Sequence, residues 1–259
     1  MKIWYQSYSQ IGKDPKWKAY EEDLRAYVKK VARPGTRIDV FGVDTLAPQL
    51  FNSGYIQHMH VDQVVNNALR AEREGYDAFC VGGTLDLGYA LIKEILDIPS
   101  AFIGEAGFLA ACLVSRRFAI VGQGLKSLQR KEELVREYGL GSRCSPGAHM
   151  GTDNFVIVEM IDKDPQRFID MFMKCARECI ANGAGSLVPG FGAIGSFLGQ
   201  RGIHEVDGVP IIDIVAVVIK TAEMLVDLRQ LGMQPSRAAM FNYATKAELL
   251  EARKTYGVD

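Results

Sequence analysis

Residues 75–85 read Gly-Tyr-Asp-Ala-Phe-Cys-Val-Gly-Gly-Thr-Leu, and residues 183–193 read Gly-Ala-Gly-Ser-Leu-Val-Pro-Gly-Phe-Gly-Ala. Each is a short apolar run that breaks at a glycine-rich turn and then takes up the apolar spacing of a helix. Each leads on to a similar exit, Leu96-Asp97-Ile98-Pro99 in the first and Asp207-Gly208-Val209-Pro210 in the second, followed by another apolar run and a helical pattern. Two related halves are implied, and the interval between the copies is too long for a stacked solenoid repeat of about 20–50 residues.

Outward from these segments, apolar runs near 2–8, 36–43, 99–104, 117–122 and 154–159 predict further strands. Amphipathic stretches near 15–32, 61–74, 85–96, 105–115, 125–138, 164–182, 211–231 and 245–256 predict helices. Strands alternating with helices build βα units and a largely parallel sheet. The expected fold class is α/β, with two pseudo-symmetric lobes, each a largely parallel sheet flanked by helices, and an active site between them. The first lobe is expected over 1–115, with 212–259 returning to it, and the second over 116–211.

A formal net charge of −1 creates no field that would favour nucleic acid or an anionic membrane. No apolar run approaches the about 20 residues of a membrane span, and the start MKIWYQSYSQ lacks the apolar core of a signal peptide, so a cytoplasmic location is expected. Five cysteines, an odd number in a chain of this length, point to reduced thiols. Cys175 and Cys179 are one helical turn apart but lack companions at zinc-like spacing, so a packing role and no metal are expected.

In two halves of this kind, ligands bind beyond the carboxyl ends of the strands, which makes the two turns the places to look for chemistry. Backbone N–H groups at Gly83 and at Gly190, Phe191 and Gly192 can cradle an anion, and Thr84 adds a hydroxyl donor. The second turn also spells GxGxxG from Gly190 to Gly195, and Asp213 follows at near the dinucleotide-motif distance of about 20 residues. A nicotinamide reading is therefore weighed, against which stand the late position of the motif, the preceding Pro189 and the lack of the pattern in the first turn.

The run from Tyr76 to Gly88, followed by Leu96-Asp97-Ile98-Pro99 and Ile103-Gly104-Glu105-Ala106, resembles the Asp/Glu/hydantoin racemase superfamily, in which a strand, a CxGDPG-like turn and a later GEA recur. Residues 183–191 resemble that family's GADVIVLGC segment, and 207–213 the segment after it. The resemblance implies a cofactor-independent enzyme with one cysteine from each lobe facing the substrate, one removing a proton and the other delivering one. This sequence departs from the pattern where it matters most. Gly83 stands at the first cysteine position and Phe191 at the second, and neither can transfer a proton. Cys80, three residues earlier within an apolar strand, is expected to pack in the core.

Candidates to replace the thiols are Asp86 in the first turn, Glu105 at the GEA position, and His60 from the Gln57-His58-Met59-His60 segment. On an extended segment at most one of the two histidines faces a cleft. Ser7 and Tyr8, at the end of the first strand, fall where the family has an Asn-Pro-Asn segment and are candidates for binding substrate. His149 and His204 read as structural.

The expectation is a cofactor-independent isomerase, racemase or lyase acting on a small carboxylate or a cyclic, hydantoin-like amide without the two-cysteine mechanism. Its partner is a small molecule, and the resemblance implies a homo-oligomer. The alternatives are a protein that binds a small carboxylate without transforming it and, behind it, an NAD-dependent enzyme.

Overall fold

The computed structural model describes residues 1–51, 53–235 and 245–258. Its first half runs β1 (Lys2–Gln6), α1 (Lys18–Val31), β2 (Arg37–Phe41), α2 (Gly54–Arg73), β3 (Ala78–Val81), α3 (Tyr89–Ile95), β4 (Ser100–Phe102) and α4 (Ile103–Val114). The second half runs β5 (Phe118–Gly122), α5 (Leu125–Glu137), β6 (Ala148–His149), α6 (Asn154–Lys163), α7 (Pro165–Ala181), β7 (Ser186–Pro189) and α8 (Gly192–Gln200). A short hairpin, β8 (Glu205–Val206) and β9 (Val209–Pro210), precedes α9 (Ile214–Gln230) and α10 (Lys246–Thr255).

The strands form two parallel sheets, ordered β2-β1-β3-β4 and β6-β5-β7, one per lobe. Every residue of β3, β5 and β7 is buried, as expected of parallel strands covered on both faces, and this is why they read as continuous apolar runs. The α/β fold with a parallel sheet in each lobe is the one the sequence implies. Helix α9 lies on α4, β3 and β4 of the first sheet, and α1 bridges the lobes by packing on both α8 and α9.

Three local readings change. Residues 154–159, a β-branched run that resembles a strand, begin α6 instead. The Asp153 carboxylate accepts from the Phe155 and Val156 amides at 2.8 and 3.0 Å, and Asn154, Ile157, Val158 and Ile161 fall on one buried face. Helix α2 starts at Gly54, earlier than expected, because Ser53 caps it through the Ile56 amide, so His58 and His60 lie within a helix and not ahead of one. Helix α3 starts only at Tyr89. Asp86, at φ +47°, and Gly88, at φ +81°, both have left-handed backbone that no α-helix accepts, so the first turn does not run straight into a helix.

Candidate functional site

The two strand-end turns touch. The Thr84 hydroxyl, from the turn after β3, donates to the Gly190 carbonyl, from the turn after β7, at 2.7 Å. A β-carbon on Gly192 would lie 2.9 Å from the Gly82 carbonyl oxygen, so only glycine lets the turns approach this closely.

At this contact is a small, partly enclosed cavity of about 20 Å³, room for about one water. Its first-lobe lining includes Ser7, Tyr8, Gly83 and Thr84, and the second lobe adds Phe191, Gln123, Ser127, Lys131 and Asn154. Phe51, Gln123, Ser127 and Asn154 also line an adjoining pocket of about 190 Å³. Aromatic rings wall the cavity, with Tyr20 stacked on Phe191 at 6.4 Å between centroids and Phe51 edge-on to Phe191 at 6.3 Å. The Tyr20 hydroxyl, bonded to Ser7, has its pKa pushed up to about 12 by burial. Burial also holds Tyr8 neutral, and its hydroxyl donates to the Leu87 carbonyl at 3.1 Å.

Of the sequence-predicted residues, the structure brings Ser7, Tyr8, Gly83, Thr84 and Phe191 together around this cavity. Gly190 and Gly192 stand directly behind, as the acceptor for Thr84 and as the point of closest approach. The three candidate proton carriers are elsewhere. Asp86 is buried, and its carboxyl accepts from the Gly104 amide (2.9 Å), the Glu105 amide (2.7 Å) and the Tyr138 hydroxyl (2.8 Å). It therefore caps α4 across the turn and does not open α3, as its place in the sequence implied. Burial raises its pKa to about 7, outweighing the three donors. Glu105 accepts from the Tyr89 hydroxyl at 2.6 Å and pairs with Lys93 at 3.0 Å. His60 is buried with its Nε2 unpartnered and packs edge-on to Tyr8 at 5.4 Å, and burial lowers its pKa to about 4.

Among the described residues, the cavity lining contains no thiol. Cys80 is fully buried beneath α9, its thiol directed at the Val218 carbonyl at 3.8 Å, and burial raises its pKa. At Gly83 a β-carbon would fall 2.1 Å from two ring carbons of Tyr8, so the tyrosine fills the space a cysteine there would need. Glycines of the second turn and of α8 have packing roles. Gly195 faces Ile214 and Gly199 faces Tyr27, each too close for a β-carbon, while Asp213 caps α9 through the Ala216 amide and accepts from the Tyr27 hydroxyl.

Sequence reading missed Lys131. It is 1% exposed, on the buried face of α5 beside Leu128 and Val135, and it lines the cavity. Its amine donates to the Gln123 side-chain oxygen (3.3 Å), the Ser127 carbonyl (3.2 Å) and the Ser127 hydroxyl, all neutral. Burial lowers its pKa to about 7. A signal was present: Leu128, Lys131 and Val135 are spaced as one helix face, and a lysine within an apolar stripe is out of place.

The model of the Asp/Glu/Hydantoin racemase family matches residues 18–222, and the chain belongs to that family. A hydantoin racemase from Pseudomonas sp. (strain NS671) is 26% identical over 240 residues, covering 92% of each chain. Among solved structures, an allantoin racemase from Klebsiella pneumoniae superposes with a TM-score of 0.78 at 21% identity, over 95% of this chain and 94% of that one. An allantoin racemase from Pseudomonas fluorescens gives 0.78 at 20% identity, over 94% of this chain and 97% of that one.

Proposed function

We propose that the protein is a cofactor-independent isomerase of the racemase type that takes a small carboxylate or a cyclic, hydantoin-like amide between its lobes and moves a proton on it without a pair of thiols. The observation that carries this reading is the junction of the two strand-end turns at a buried cavity lined by hydroxyls, amides, one amine and aromatic rings, in a chain of the racemase family. The names of the relatives, hydantoin and allantoin racemase, favour the cyclic amide.

Substrate recognition falls to Ser7, Thr84, Gln123 and Asn154 as hydrogen-bonding groups, with Tyr8, Phe51 and Phe191 as apolar walls suited to a flat ring. Asp86, Glu105 and His60 serve as positioning residues: Asp86 fixes the turn to α4, Glu105 braces α3, and His60 backs Tyr8. The cavity is too small for a substrate as it stands, so binding needs the wall between it and the adjoining pocket, which includes Phe51, to give way. A lyase reaction uses the same site if the departing group is a carboxylate.

The test is turnover of single-enantiomer hydantoins, amino acids, malonates and maleate by the purified protein, followed by chiral chromatography and mass spectrometry. Racemisation or loss of carbon dioxide supports the proposal, and silence across the panel would sink it. The thiol-free lining favours one second reading, a protein that binds such a molecule without transforming it. Strong thermal stabilisation by a member of the panel with no turnover would select that reading.

A further inference from the structure

We propose that Lys131 is the catalytic base of this site, removing a proton from a carbon next to a carbonyl of the bound substrate and returning one to it from the side of the second lobe. The inference deepens the proposed function and rests on it. Its geometric basis is an amine that is fully buried, lines the cavity at the junction of the turns, and has only neutral hydrogen-bond partners among the described residues. A buried lysine whose charge no carboxylate compensates costs stability, so its place here calls for a use.

The surroundings serve both protonation states. The Ser127 hydroxyl can accept from an ammonium or donate to a neutral amine, and Gln123, held by Asn154 at 2.7 Å, offers an oxygen to whichever proton the amine carries. The titratable groups that line the cavity with Lys131 are Tyr8 and Tyr20, both kept neutral by burial, so neither competes for the proton near neutral pH. A pKa of about 7 gives comparable amounts of amine and ammonium at neutral pH, the condition for a group that both takes and returns a proton.

The step balances without another reactant. The neutral amine takes the proton, the C–H electron pair moves into the adjacent carbonyl to give an enolate, and the resulting ammonium returns a proton to the same carbon or to another atom of the enolate. In the turn after β3, Gly83 carries no proton donor, and the ring that fills its space turns its hydroxyl to Leu87. Proton transfer on the Lys131 side is therefore the faster, and exchange with solvent outruns inversion at the carbon.

The experiment follows loss of the C5 proton from the L enantiomer of 5-benzylhydantoin in deuterium oxide by NMR, with optical purity monitored in parallel and the uncatalysed rate subtracted. Wild-type protein is expected to exchange the proton faster than it racemises the substrate. Lys131→Met and Lys131→Gln should lose about 100-fold or more of the exchange rate, the scale of general-base catalysis, while binding hydantoin within about threefold of wild type. Exchange at near the wild-type rate in either folded variant would overturn the role of Lys131 and leave the proposed function standing. Wild-type protein that exchanges no proton on this hydantoin or on any member of the panel above would overturn both. Independently of substrate, the lysine ε-carbon signal of Lys131 should titrate near pH 7 in the whole protein, and a midpoint near the ordinary lysine value would overturn the proposal even where the variants fail to fold.

Discussion

The ring of Tyr8 occupies the space that a side chain at position 83 would need: a β-carbon on Gly83 would come within 2.1 Å of the ring's Cδ2 and Cε2. The glycine and the tyrosine are therefore one feature. No hole is left beside Gly83, because Tyr8, two residues beyond β1, fills the space. Gly83→Cys alone should destabilise the protein by roughly 1–3 kcal/mol through overpacking. Combined with Tyr8→Ala, it should cost less than the two single changes together. Urea unfolding in a double-mutant cycle reads the difference, and effects that add to within about 0.5 kcal/mol would show that the two do not share a site.

The Thr84 hydroxyl ties the two turns through the Gly190 carbonyl. Thr84→Val keeps the shape and removes the donor, leaving that carbonyl buried without it, at a cost of about 1–3 kcal/mol. Thr84→Ser should recover most of the loss. Chemical denaturation of the three proteins checks this, and Thr84→Val as stable as wild type would mean that the hydrogen bond contributes nothing net.

His60 lies below its ordinary pKa in the folded protein, at about 4, because burial penalises the imidazolium. The sign follows from proton counting. Between pH 4 and 6.5 the unfolded chain binds more protons at this residue, so stability falls as pH falls through that window. His60→Phe should therefore flatten the acid side of the stability profile by up to about 3 kcal/mol between pH 6.5 and 4. Melting curves of the two proteins over that range decide it, and parallel profiles would count against a neutral buried histidine.

Asp86 has the opposite slope. Its folded pKa, raised to about 7 by burial, means that the native state holds a proton the unfolded chain releases near pH 4. The stability this lends is complete below pH 4 and is lost as pH rises towards 7. Asp86→Asn, which stays neutral, should lose less stability than wild type across that window, by roughly 2–4 kcal/mol. Asp86→Ala should instead destabilise at every pH, by about 1–2 kcal/mol or more, because the first turn of α4 loses its cap. Equal pH profiles for wild type and Asp86→Asn would show that the carboxylate is already ionised in the fold.

Asp86 also illustrates how far the sequence can be read. Its place in the first turn was visible, but the helix it caps begins 17 residues later in the chain, at Ile103. Residues 154–159 show a different limit. A run of β-branched and aromatic residues fits either a strand or the covered face of a helix, and the choice fell to the Asp153 cap and to packing against α7. The pocket residues Ser7, Tyr8, Gly83, Thr84 and Phe191 were legible because strand ends and glycine-rich turns are local patterns.

What the sequence determined by itself is the alternation of covered strands and amphipathic helices, the echo between two similar segments, and the absence of cysteine from both glycine-rich turns, because each of these is written in residue order and spacing. What only the tertiary structure decided is which side chains meet. Lys131 from α5, Tyr8 from the loop after β1 and the two turns come together because the lobes close on one another, and chain order carries no record of that closure. The buried environment made there lowers the lysine's proton affinity, and burial depends on neighbours in space.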